Sequence, residues 1–136
     1  MSITGLSPAQ IGALSVTAIQ GLSTTVISQL AATQVAAIST SGIGALSNTQ
    51  VAALSTTQIR ALTTTQVPNF SSDVTLSSAQ LLALSANQLG VMTTTQVANF
   101  NTTAISSFAT SQIQALSATN ISALDATQAA ALKTTQ

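Results

Sequence analysis

The sequence predicts an all-α fold: a repeat solenoid of very short helices, one capped helical turn or two in each eight-residue unit. Three observations predict it. An octad holds its phase along nearly the whole chain, a capping-box pattern recurs at one place in each octad, and large apolar residues recur at helical spacing.

Position 1 of the octad falls on Leu6, Leu14, Leu22, Leu30, Ile38, Leu46, Leu54, Leu62 and Phe70. It continues at Leu76, Leu84, Met92, Phe100, Phe108, Leu116, Leu124 and Leu132. Every step is eight residues except Phe70 to Leu76, which is six. Position 2 is Ser, Thr, Asn or Asp in 14 of 17 units, the exceptions being Ala31, Ala109 and Lys133. Position 5 is Gln in 11 of 17 units, and position 6 is Ile, Val or Leu in 14 of 16. Leu54-Ser55-Thr56-Thr57-Gln58-Ile59-Arg60-Ala61 shows the pattern cleanly.

A hydroxyl residue followed three positions later by Gln is a capping box: the hydroxyl accepts from the N3 amide, and the Gln side chain reaches back to the N-cap amide. With position 2 as N-cap, the apolar positions 1 and 6 become N′ and N4, the two halves of a hydrophobic staple. Ser7-Pro8-Ala9-Gln10 adds Pro at N1, where its missing N–H is harmless. Position 6 and the next position 1 are i, i+3 neighbours on one helical face. Each octad therefore reads as a cap, one or two turns and a break, with Leu and Ile lining the interior. The competing reading is a β-solenoid, favoured by the many β-branched residues. Against it, positions 1 and 6 have opposite parity and would face opposite sides of a strand, and six Gly and two Pro supply few turns. A lone octad buries too little to fold, so neighbouring coils must stack.

The 136 residues form a single octad solenoid: residues 6–69 as a first stack of eight octads, 70–75 as an irregular six-residue unit, and 76–136 as a second stack. The irregular unit follows Val67-Pro68-Asn69, where Pro68 lacks a donor and restricts Val67. It reads as a kink or seam; the alternative is a recognition loop exposing Phe70 and Asp73. Phe70, Phe100 and Phe108 read as core fillers, and Asn before Phe, at Asn69 and Asn99, as a corner device used twice.

Composition speaks against most chemistry. Charged residues are 3% of the chain, against roughly 25% in a typical domain. They are Arg60, Asp73, Asp125 and Lys133, and His, Cys, Glu, Trp and Tyr do not occur. General acid–base catalysis, activated nucleophiles and metal sites have almost no residues to rest on, so no enzyme, cofactor or small-molecule substrate is expected. Two basic residues and no net charge argue against nucleic acid. No apolar run approaches the ~20 residues of a spanning helix, so no membrane insertion is expected. Met1-Ser2-Ile3-Thr4-Gly5 carries no basic n-region, so no cleaved signal peptide is expected.

So little charge removes the self-repulsion that keeps proteins apart. The chain starts in octad phase at Ile3-Thr4-Gly5-Leu6 and stops at position 5, Gln136, so two copies placed end to end complete an octad. The expected function is structural: a subunit of a self-assembling extracellular filament stacking head to tail, with Ile3, Leu6, Leu132 and Gln136 as the assembly interface and another copy of the chain as partner. A spacer fragment of a longer repeat array is the alternative.

The L-[S/T]-T-x-Q-[I/V]-x-A-L octads from Leu6 to Gln136 resemble repeat tracts of very large bacterial surface and secreted proteins of the adhesin or haemagglutinin type. That resemblance implies an extended stalk or spacer at the cell surface or outside the cell, exported without a cleaved N-terminal signal. The chain departs from such proteins in having no adhesive head, calcium motif or secretion signal. Two further readings stand beside it. Position 4 is Thr in 11 of 17 units, a hydroxyl ladder that would suit ice or a polysaccharide surface. Low charge with stacked Gln would also suit an amyloid.

Overall fold

In the computed structural model, which describes residues 3–136, most octads fold into one short α-helix followed by a corner. In chain order the helices are α1 (Pro8–Gly12), α2 (Val16–Gln20), α3 (Thr24–Gln29), α4 (Ala32–Ala37), α5 (Thr40–Gly44), α6 (Asn48–Ala52) and α7 (Thr56–Ala61). After the irregular unit come α8 (Ser78–Ala83), α9 (Ala86–Gly90), α10 (Thr94–Ala98), α11 (Thr102–Ser107), α12 (Thr110–Ala115), α13 (Ala118–Ser122) and α14 (Ala126–Ala130). Among the described residues there is no strand, so the helical reading holds over the β-solenoid.

The caps explain why the helices are short. Position 2 is extended, as at Ser55 (φ −71°, ψ 163°), and its hydroxyl accepts from the backbone N–H three residues on. That bond satisfies an orphan donor but fixes a non-helical residue at the head of each unit. Position 1 is extended too where it closes a helix, as at Leu30 (ψ 137°). Two consecutive extended residues make a corner, and the next helix starts in a new direction. Helices this short are unstable alone in water, so packing must hold them.

Packing supplies a column for every third unit. Helices α1, α4, α7, α8, α11 and α14 stack in sequence along one side of the solenoid. Helix α2 stacks on α5, which meets the 3₁₀ turn Val67–Asn69, and α9 stacks on α12 in the same column. The third side holds α3 on α6 and α10 on α13. One coil is thus three octads, a triangular tube with position 6 pointing inward: Ile11, Ile27, Val35, Val51 and Ile59 are fully buried. Position 1 fills the corners, with Leu30, Leu46, Leu54 and Leu62 no more than 4% exposed.

The irregular unit occupies the third side between α6 and α10. Pro68 cannot donate to a carbonyl four residues back, and the turn around it tightens to 3₁₀ geometry. Residues 70–75 form no helix and are tied to both neighbours: the Thr75 N–H donates to Asn48 Oδ1 at 3.0 Å, and Asn99 Nδ2 donates to the Ser72 carbonyl at 2.9 Å. Val74, at position 5 of the shortened unit, is buried, while Asp73 is exposed and accepts from the Ser71 hydroxyl. Phe70, Phe100 and Phe108 are buried, as core fillers should be. The rings of Phe100 and Phe108 meet at 5.6 Å between centroids, tilted by 58°, on either side of the small buried Ala104 at position 5.

Candidate functional site: the glutamine ladder

Eight of the eleven position-5 glutamines are buried polar residues, which calls for hydrogen-bond partners on every polar atom. Gln34, Gln50, Gln58, Gln66, Gln80, Gln88, Gln96 and Gln128 are all at most 6% exposed. The side-chain oxygen does what the capping box requires: the Ser55 N–H donates to Gln58 Oε1 at 2.8 Å, and the Gln58 N–H donates to Ser55 Oγ at 3.2 Å. Ala31 and Ala109 have no hydroxyl and keep only the Gln half, through Gln34 Oε1 at 2.8 Å and Gln112 Oε1 at 2.9 Å.

The side-chain nitrogen reaches out of its own coil. Gln58 Nε2 donates to the carbonyls of Ile27 (2.9 Å) and Leu30 (2.7 Å), 31 and 28 residues earlier. Gln66 does the same to Val35 and Ile38, Gln50 to Ile19 and Leu22, and Gln34 to Ile3 and Leu6. Each amide joins its own N-cap to the corner of the coil on its N-terminal side. Corner carbonyls are the groups left over when a helix stops, so the ladder satisfies acceptors that the short helices create.

The ladder also runs across the irregular unit. Gln80 Nε2 donates to Val51 and Leu54, 29 and 26 residues back, and Gln88 to Ile59 and Leu62 with the same offsets. The offsets are two smaller there because the intervening unit is two residues shorter. They return to 31 and 28 at Gln128, bonded to Val97 and Phe100. Asn120, one methylene shorter, reaches a single carbonyl, that of Met92, at 2.9 Å.

Of the residues expected at an assembly interface, Ile3 is buried at 1% exposure, and Leu6 and Leu132 are half-buried against the core. Gln136 Nε2 is engaged within the chain, donating to Ile105 (2.8 Å) and Phe108 (2.7 Å). The first two residues lie in the first coil and the last two in the final coil. The position-4 threonines, such as Thr25, Thr49 and Thr57, are exposed, but consecutive ones fall on different sides of the triangle. Asp73, whose carboxyl is held below its ordinary range by the Ser71 hydroxyl and then by its own backbone amide, is fully exposed. Among the described residues, no helix is long and apolar enough to cross a membrane.

A chain of capped octads clamped by glutamine is, as a class, a helical repeat protein. Residues 35–72 match the family described as the ALTTAQ repeat, so over that stretch the chain is similar to it. That match spans α5–α7 and holds one complete rung, from Gln66 to Val35 and Ile38, together with the donor residues Gln50 and Gln58. No curated protein and no solved structure shows a match. Sequence reasoning identified the capping role of the glutamines but not their second role. The signal was present: Ala31 and Ala109 lack the hydroxyl, yet Gln34 and Gln112 are retained.

Proposed function

We propose that the chain is a structural protein: an extended element outside the cell that assembles head to tail with copies of itself, the same architecture serving as a stalk or spacer where it lies within a larger surface protein. The observation that supports this most is the ladder. Coil after coil repeats the bond from a position-5 amide to the corner carbonyls of the coil before it, so the geometry has no intrinsic length limit and adds reach rather than a cavity. The surface is nearly free of charge, which weakens the repulsion that would keep two copies apart. An extracellular setting is taken from the resemblance to adhesin-type repeat tracts.

The test is electron microscopy of the purified chain at neutral pH, before and after prolonged incubation. Thin filaments of uniform width with a regular axial repeat are expected. Monodisperse short particles under all conditions would overturn the self-assembly reading and leave the spacer.

A further inference from the structure

The two ends of the solenoid carry complementary halves of one coil-to-coil contact. At the first coil, Gln10 accepts from the Ser7 N–H as every other box does, but it is exposed and its Nε2 meets no carbonyl among the described residues. The same coil carries a mostly apolar hollow of about 260 Å³, lined by Ile3, Leu14, Ala18, Leu22 and Val26 with Gly21 and Ser23. Ala18 and Val26 hold position 5 in α2 and α3, so their coil offers one glutamine donor and two apolar contacts. At the last coil, the corner carbonyls of Ile113 and Leu116 accept from no side chain, although Ile105 and Phe108, one unit earlier, accept from Gln136. Ile121 stands at the inward position 6 yet is 37% exposed, and Leu124 and Leu132 are half-buried.

We propose that the first coil of one copy seats on the last coil of another, with Gln10 Nε2 donating to the carbonyls of Ile113 and Leu116 and the side chain of Ile121 entering the hollow between Ala18 and Val26. This rests on the self-assembly reading and assigns its polarity and contacts. The occupant is a second copy because the chain already makes this contact internally: Gln34 closes on Ile3 and Leu6 in the way required of Gln10. Coils without Gln at position 5 close as well, since Gly42 and Ala104 are buried. One end donates and the other accepts, so the contact is heterologous and propagates instead of closing as a pair.

Two double variants test this by sedimentation velocity, with far-UV circular dichroism melts to show that each is folded. Ala18→Asp with Val26→Asp places charge in the hollow, and Ile121→Asp with Ala129→Asp places it on the opposite end. The wild type should assemble, each variant alone should be monomeric, and an equimolar mixture should form a 1:1 dimer, because each retains one open end. Assembly persisting in both variants, or a mixture that stays monomeric, would overturn the end-to-end contact while leaving self-assembly in place. A wild type monomeric at every concentration would overturn the self-assembly reading itself. Gln10→Ala, which leaves the core untouched, should weaken association about tenfold, and no change would remove the rung.

Discussion

Gln58 Nε2 lies 2.7 Å from the carbonyl oxygen of Leu30, while Oε1 of the same side chain lies 2.8 Å from the Ser55 N–H. One amide thus caps a helix and fastens that helix to the coil beneath. Both ends of the side chain are in use, so substitutions at Gln58 have consequences beyond a lost cap.

Gln58→Ala leaves the Ile27 and Leu30 carbonyls and the Ser55 N–H without their side-chain partner in a buried setting. The expected loss is about 2–4 kcal/mol, read as a shift in the urea midpoint. Removing only the hydroxyl half, as in Ser55→Ala, should cost about 1 kcal/mol. Equal losses would show that the reach to Leu30 adds nothing.

Gln58→Glu keeps the shape but sets a carboxylate oxygen against two carbonyl oxygens. Its folded-state pKa must then lie above the unfolded value, because both burial and the carbonyls disfavour the charge. The variant should be destabilised at neutral pH and regain stability as pH falls through that raised pKa, when the protonated acid can donate. A melting temperature that does not rise between neutral and mildly acid pH would contradict this.

Asp73 carries the opposite sign. Its carboxyl is held below the ordinary range by the Ser71 hydroxyl and its own backbone amide. Any stability from it is present above the unfolded pKa and lost as pH falls through the lowered one. The group is fully exposed, so the effect should be small and confined to acid pH, and Asp73→Asn should abolish it in a thermal titration.

Glycine at position 7 admits a close approach between coils. A Cβ on Gly44 would stand 2.9 Å from the Asn69 carbonyl oxygen, whereas one on Gly5 would meet nothing within 4 Å. Gly44→Ala should destabilise by about 1–2 kcal/mol despite better helix propensity, and Gly5→Ala should be within a few tenths of wild type. Thermal melts of the two variants side by side decide it.

The caps also offer a gain. Ala109 is exposed at an N-cap and its box lacks only the hydroxyl, so Ala109→Ser should add about 0.5–1 kcal/mol, measured by denaturant unfolding.

Local rules carried the sequence reading as far as local rules reach. Position 2 as N-cap, Gln as N3 and position 6 as core all follow from contacts within four residues, and the structure has them at Ser7, Ser47, Ser55 and Ser85. The three-octad coil was not legible. It depends on the angle turned at each corner, summed over a whole circuit, and no spacing within an octad encodes that sum. The outer half of each glutamine was hidden for the same reason: its acceptors lie 28 and 31 residues away. The shortened unit at 70–75 was legible as a break in phase, but its anchoring by Asn48 and Asn99 was not, because neither asparagine departs from the octad pattern in a way that names a partner.

Every complete rung points one way, from an amide to carbonyls earlier in the chain. A ribosome releases the acceptors before the donor, so each new octad emerges to find its seat already built. No rung waits for a residue more than 31 positions downstream, which keeps the span of unfolded chain short at every moment of synthesis. The molecule is suited to grow in the order in which it is made, closing coil by coil from its N-terminal side, as one-dimensional folding with short-range contacts allows.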